Sequence, residues 1–240
     1  MALLTKVDYY GLAGSGFVVE STSEGKAVGF QAEARGPDGF LVAIETGGEI
    51  QAPTVNYVAT SNATISSIVM GSVHTIGTSP NQHKVALGGL TITTAAGEPV
   101  KMTATGSEIE ANGSAHCTAT LSGISLSSLF HAQDFGLFTV SDGQLTNSTL
   151  TIEGNVATTL VDGVIKASDL VGASIKVSGT IVGVTDAGAI ATPTVTLNAP
   201  SGNVLTGVMT QPLTQENPNG DFPSYTFEAT WGLKADTTTP

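Results

Sequence analysis

Residues Gly88–Leu121, GGLTITTAAGEPVKMTATGSEIEANGSAHCTATL, read as strand, turn, strand, loop and strand. A fainter version closes the chain from Pro193 to Leu233, PTVTLNAPSGNVLTGVMTQPLTQENPNGDFPSYTFEATWGL, with the longer loop in this second copy. The last strands match best. Cys117, Ala119 and Leu121 alternate with Thr118 and Thr120, as Tyr225, Phe227, Ala229, Trp231 and Leu233 alternate with Thr226, Glu228 and Thr230. Period-two alternation marks a strand with one buried and one wet face. The expectation is an all-β chain: two tandem β-sandwich or barrel-like domains from an internal duplication, with one short helix between them.

Working outward, residues 1–16 carry no periodicity and end in GLAGSG, so they read as an N-terminal arm ordered against a neighbour. The first β domain is expected over 17–125 and the second over 126–233, followed by a mobile polar tail over 234–240. Gly36-Pro37-Asp38-Gly39 lies between KAVGFQAEA and FLVAIE. Proline presets φ there while Asp and Gly accept the remaining turn conformations, which predicts a tight hairpin. TVSDGQLT predicts another about Asp142-Gly143. Leu126, Leu129 and Phe130 fit helical spacing behind Ser127 or Ser128 as a cap, which predicts the short helix over 127–135, ended near Gly136. Ala167–Gly172, ASDLVG, is read as one helical turn.

Of the 240 residues only 12% are charged, about half the usual share of roughly 25%. Ser, Thr, Asn and Gly must therefore cover much of the surface, and such a surface loses little ion hydration when buried against another protein. Eight basic and 20 acidic residues give a net charge of −12, with no basic run. Tight binding of nucleic acid is excluded by that balance, whereas a wall that DNA slides past without sticking is permitted. The lone Cys117 makes no intrachain disulfide and is expected as a small buried hydrophobe, consistent with folding in a reducing cytoplasm. MALLTKVDYYG lacks the basic-then-apolar order of a leader, and no apolar run approaches the ~20 residues of a membrane helix. No membrane association is expected.

Candidate chemistry is sparse. His74, His83, His116 and His131 show no metal-ligand spacing, and His116 and Cys117 point to opposite faces of one strand. No G-x-S-x-G elbow is present; Gly14-Ser15-Gly16 follows no strand. Glu108 with Glu110, and Glu45 with Glu49, sit beside glycine-rich turns without an aromatic sugar platform and read as solvated acids. Asp38-Gly39, Asp142-Gly143 and Asp162-Gly163 are isolated turn signals rather than calcium loops. The reading is a non-enzymatic chain with no catalytic residues, no metal, no cofactor and no small-molecule ligand. Long, weakly charged strands present edges that pair with other chains, so function is expected to reside in assembly.

His131–Gly154, HAQDFGLFTVSDGQLTNSTLTIEG, and Phe222–Leu233, FPSYTFEATWGL, are similar to proteins of phages and prophages. With the duplicated β domain, the short helix and the DG hairpin, the chain resembles bacteriophage tail-tube proteins. That resemblance implies β-sandwich domains whose inner sheets join into a barrel around a DNA channel, three fused pairs making a pseudo-sixfold ring. It implies copies of the chain and other virion proteins as partners, DNA only as non-sticking cargo, and a virion component made in the host cytoplasm. Asp38, Gly39, Thr118, Thr120, Thr226, Glu228 and Thr230 are the candidate assembly surfaces. Two other readings stay open: a capsid decoration or cement protein using the arm, and an exported adhesin or glycan-binding module.

Overall fold

The computed structural model describes residues 6–14, 16–37, 39–77, 82–109, 118–126, 129–161, 164–183, 185–186, 189–190, 193–200, 208–216 and 222–236. In chain order the strands are β1 (Phe17–Arg35), β2 (Leu41–Ala59), β3 (Ala63–Met70), β4 (Val73–Ile76), β5 (His83–Ala95), β6 (Lys101–Ile109), β7 (Thr118–Leu126) and β8 (Phe138–Val140). They continue with β9 (Gln144–Val161), β10 (Val164–Val182), β11 (Thr185–Asp186), β12 (Ala189–Ile190), β13 (Val195–Leu197), β14 (Val208–Glu216), β15 (Ser224–Gly232) and β16 (Ala235–Asp236). The fold is all-β and antiparallel, with no helix among the described residues.

One large sheet dominates, in the order β1-β2-β6-β5-β9-β10-β15-β14, with β4 paired to β5. The order repeats itself. A long hairpin followed by a shorter one folded back beside it gives β1-β2-β6-β5, and the same connection gives β9-β10-β15-β14. The two groups of four meet at β5 and β9, paired from Gly89↔Glu153 to Ala95↔Asn147. Strands of both sequence halves thus share one sheet across position 125, and their buried residues form one core cluster.

Registered rows of side chains run across this sheet and alternate strictly between its faces. Val55, Ala104, Leu90, Ile152, Ile175 and Trp231 form one buried row; Tyr57, Met102, Ile92, Leu150, Val177 and Ala229 form the next. A second layer covers them. The sheet β16-β7-β3 contributes Ile68, Met70, Ala119 and Leu121 to the first half of the core. The pair β13-β8 covers the second half, where the Phe138 ring meets Phe227 edge-on at 4.8 Å.

Several expectations change. The closing strand of the first half does not correspond to β15: β7 lies in the covering layer, and the strand occupying the place of β15 in the four-strand order is β6. Both β6 and β7 alternate, so alternation alone could not choose between them. The helix expected over 127–135 is not formed where it is described. Residues 129–135 are irregular, with Phe135 at φ 56, and 127–128 lie outside the described residues. Tertiary bonds replace helical ones there: Gln133 N–H donates to Thr94 Oγ1 (2.9 Å), and Thr94 and Ser148, paired across β5 and β9, share a hydroxyl bond of 2.7 Å. Ala167–Gly172 belongs to β10, not to a helical turn. Asp142-Gly143 turns the chain without closing a hairpin, because β8 pairs with β13 while β9 enters the main sheet. The arm packs on its own chain over 6–14, and Ala235–Asp236 at the start of the expected tail pairs with β7. Cys117, His116, Glu110, Asp162, Gly163 and residues 237–240 lie outside the described residues.

Candidate assembly surfaces

The wet face of the main sheet is built from the rows between the buried ones. Asn56, Thr103, Thr91, Thr151, Lys176 and Thr230 form one; Val58, Lys101, Thr93, Thr149, Ser178 and Glu228 form another. A third runs Thr54, Thr105, Gly89, Glu153, Ser174, Gly232. Hydroxyls and amides dominate, and some bond along the surface. Thr103 Oγ1 donates to Asn56 Oδ1 (2.8 Å), and Asn56 Nδ2 donates to Ser21 Oγ (2.9 Å). In these rows Lys101 and Lys176 balance Glu153 and Glu228, and Lys176 reaches Glu228 at 2.8 Å. These central rows thus carry two lysines and two glutamates on a chain whose net charge is −12, a surface with no cluster of cations to hold phosphate. A shallow trough of about 620 Å³ crosses it where Gly88, Gly89, Gly154 and Gly172 leave the sheet thin.

The candidate residues fall in three places. Thr226, Glu228 and Thr230 lie on this wet face of β15, opposite Phe227 and Trp231 in the core. Thr118 and Thr120 are half-buried on β7, in the other sheet, so the structure does not bring the two groups together. Gly39 sits at the tip of the first hairpin with φ 81, which suits glycine, and Gly36 N–H closes the turn on Phe40 O at 2.8 Å. Asp38 lies outside the described residues.

Two features escaped the sequence reading. The first is length. Among the described residues the ladder continues beyond the main sheet as two ribbons, where β1 and β2 pair only with each other out to Arg35↔Leu41, and β9 and β10 out to Val161↔Val164. From Lys26 to Arg35 the first ribbon extends about 30 Å at ~3.3 Å per residue. Strands β1 and β9 sit an even number of places apart in an antiparallel sheet, so both ribbons leave from the same end. The second is where apolar side chains are exposed. Phe40 (73% exposed), Leu41, Val42 (67%), Val161 and Val171 are on the ribbons, while Val18, Phe130 (51%) and Phe222 (58%) lie at the opposite end. Alternation could locate none of these, since it reports faces and not ends.

Among the described residues the main path of the sheet ends at β1 on one side and β14 on the other. Inside the β1 edge the arm is pinned by polar contacts. The Asp8 carboxylate accepts from Tyr57 Oη (2.6 Å), Leu12 N–H (3.2 Å) and Ala13 N–H (2.7 Å), and Tyr10 Oη donates to Pro53 O (2.7 Å). Burial, with a hydrogen bond to Glu24, pushes the Tyr9 phenol up to about 12. Burial also raises Tyr10, and raises Tyr57 together with its bond to Asp8. His74, edge-on to Tyr10 at 5.4 Å, is lowered by burial against the opposing pull of Asp8. His83 Nδ1 pairs with Glu108 Oε1 at 2.7 Å, and no group of three potential metal ligands occurs among the described residues.

No protein-family model matches this sequence, and no characterised protein matches it.

Proposed function

We propose that the chain is a structural subunit that assembles with copies of itself into a closed, tube-like β wall, as a virion component of the tail-tube kind. The observation that carries this reading is the repeated strand order. Within one chain, β5 receives β9 and the second four-strand group follows the first in the same sense. The strand corresponding to β5 in the second group is β14, which ends the sheet, and the strand corresponding to β9 is β1, which begins it. The β14 edge of one copy is therefore suited to the β1 edge of the next. The parity agrees: eight strands in strict alternation leave edge strands of opposite direction, so head-to-tail addition stays antiparallel.

A closed ring removes both edges, which otherwise invite uncontrolled pairing. Three copies would supply 24 strands in the main wall. At ~4.8 Å spacing that wall is about 115 Å around and roughly 37 Å across before strand tilt widens it. Side chains reaching inward about 5 Å leave a bore wider than duplex DNA. With the wet face inward, the lining is rich in hydroxyls and has no cluster of lysine or arginine, so it gives phosphates little to hold. The apolar residues at the two ends favour stacking of such rings. On this reading the chain has no catalytic role, its partners are its own copies and other virion proteins, and its place is the virion.

Negative-stain microscopy across a concentration series, with light scattering, tests it. Rings or tubes with an open bore are expected. Compact trimers that bind only assembled shells would favour a capsid cement protein instead, and a monomer at every concentration would favour a discrete binding module.

A further inference from the structure

We propose that the N-terminal segment is a positioning strap that holds the first ribbon at a fixed angle to the main sheet. Its contacts converge on the level where the ribbon leaves that sheet. Val7 N–H donates to Thr22 Oγ1 (3.3 Å), which donates back to Val7 O (2.9 Å), and Tyr9 Oη donates to Glu24. On the neighbouring strand, Tyr10 binds Pro53 O and Asp8 binds Tyr57. In the ladder Thr22 pairs with Val55 and Glu24 with Pro53; the next pair outward is Gly25↔Ala52. A Cβ at Gly25 would stand 2.5 Å from the Ala52 carbonyl oxygen, so the crossing where the strap ends admits glycine alone without a shift. At the same level Glu108 completes a clamp: Oε2 accepts Gln51 N–H (2.7 Å) while Oε1 holds His83.

A two-stranded ribbon has little stability of its own in water, and a glycine at its root lets it swing. The strap and Glu108 remove that freedom through side chains of the arm, β1, β2, β5 and β6. The base of the second ribbon, at Glu153–Asn155 and Gly172–Ser174, has no side-chain hydrogen bonds of this kind among the described residues. The two ribbons are therefore rooted differently: the first by the strap's polar contacts, the second by apolar packing, with Leu170 buried in the core and Val156 and Ala173 packed against it. What this means for stacking rests on the assembly reading above, but the clamp itself does not.

Hydrogen exchange on unassembled protein separates the two. Asp8→Ala/Thr22→Val removes the strap's bonds through Asp8 and Thr22, both half-exposed, and leaves those of Tyr9 and Tyr10; Tyr10→Phe removes one further bond while keeping the buried ring. In the double variant, amides of 26–35 and 41–50 should exchange about tenfold faster, the loss expected for charge-assisted hydrogen bonds, with those of β5, β6 and β9 unchanged. Tyr10→Phe should give a smaller change in the same residues. Unchanged ribbon exchange would overturn the proposal, as would ribbon amides that already exchange freely in the parent protein. Equal acceleration throughout the sheet would also overturn it, because the arm would then support the core as a whole. Failure to form rings bears on the assembly reading alone.

Discussion

Trp231 shows what one side chain does here. It is fully buried at the end of the row Val55, Ala104, Leu90, Ile152, Ile175, and its indole N–H has no hydrogen-bond partner among the described residues. Trp231→Ala should cost about 3–5 kcal/mol in denaturant melts through lost burial and the cavity left behind. Trp231→Phe should cost clearly less, since it gives up volume but also removes an unmet donor. A silent Trp231→Ala would mean that the closing strand is misplaced. His74 makes a pH prediction. Burial lowers its pKa below the ordinary 6.5, so the unfolded chain takes up the proton first as pH falls. Its contribution is complete above about pH 6.5 and declines below that until the folded state protonates too. His74→Gln should flatten that part of a stability-against-pH curve, and an unaltered slope would assign it to other groups.

Strands and turns separate what the sequence could show from what it could not. The alternation from Tyr225 to Leu233 located β15 and both its faces, because one face is buried by a full layer and the other is wet. The Gly36–Phe40 turn was legible because each residue has a local conformational reason to be there. Leu126, Leu129 and Phe130 misled, since three apolar residues at that spacing fit a helix or an irregular loop pinned from outside. Only Thr94 and Ser148, distant in sequence, decide between them. The length of the ribbons was not legible, because a turn signal such as Gly36–Gly39 marks where a hairpin ends and not how far its strands run beyond the main sheet. At their tip, Phe40→Ser with Val42→Ser should leave the thermal midpoint within about a degree or two, as expected for exposed positions. The same pair should shorten any assembled tubes seen by microscopy, and full-length tubes would remove the tip from the contact.

Across the whole molecule, net charge opposes assembly. Copies carrying −12 each repel one another, while the low content of charged residues keeps the cost of burying their surfaces small. Raising salt from about 10 mM to about 150 mM shortens the screening length from ~30 Å to ~8 Å, so the concentration needed for assembly should fall. Sedimentation across that range measures it. A rise instead would mean that attractive ion pairs hold the copies together. The seam between β5 and β9 has a further consequence. It joins segments of one chain, so the covalent tether supplies a local concentration that dilution cannot change. The matching seam between β14 and β1 of different copies would have no tether. In a closed ring half of the junctions would be independent of how much protein the cell makes, and only the other half would respond to supply. Carrying two four-strand groups on one chain would thus halve the number of junctions that separate copies have to make in such a wall.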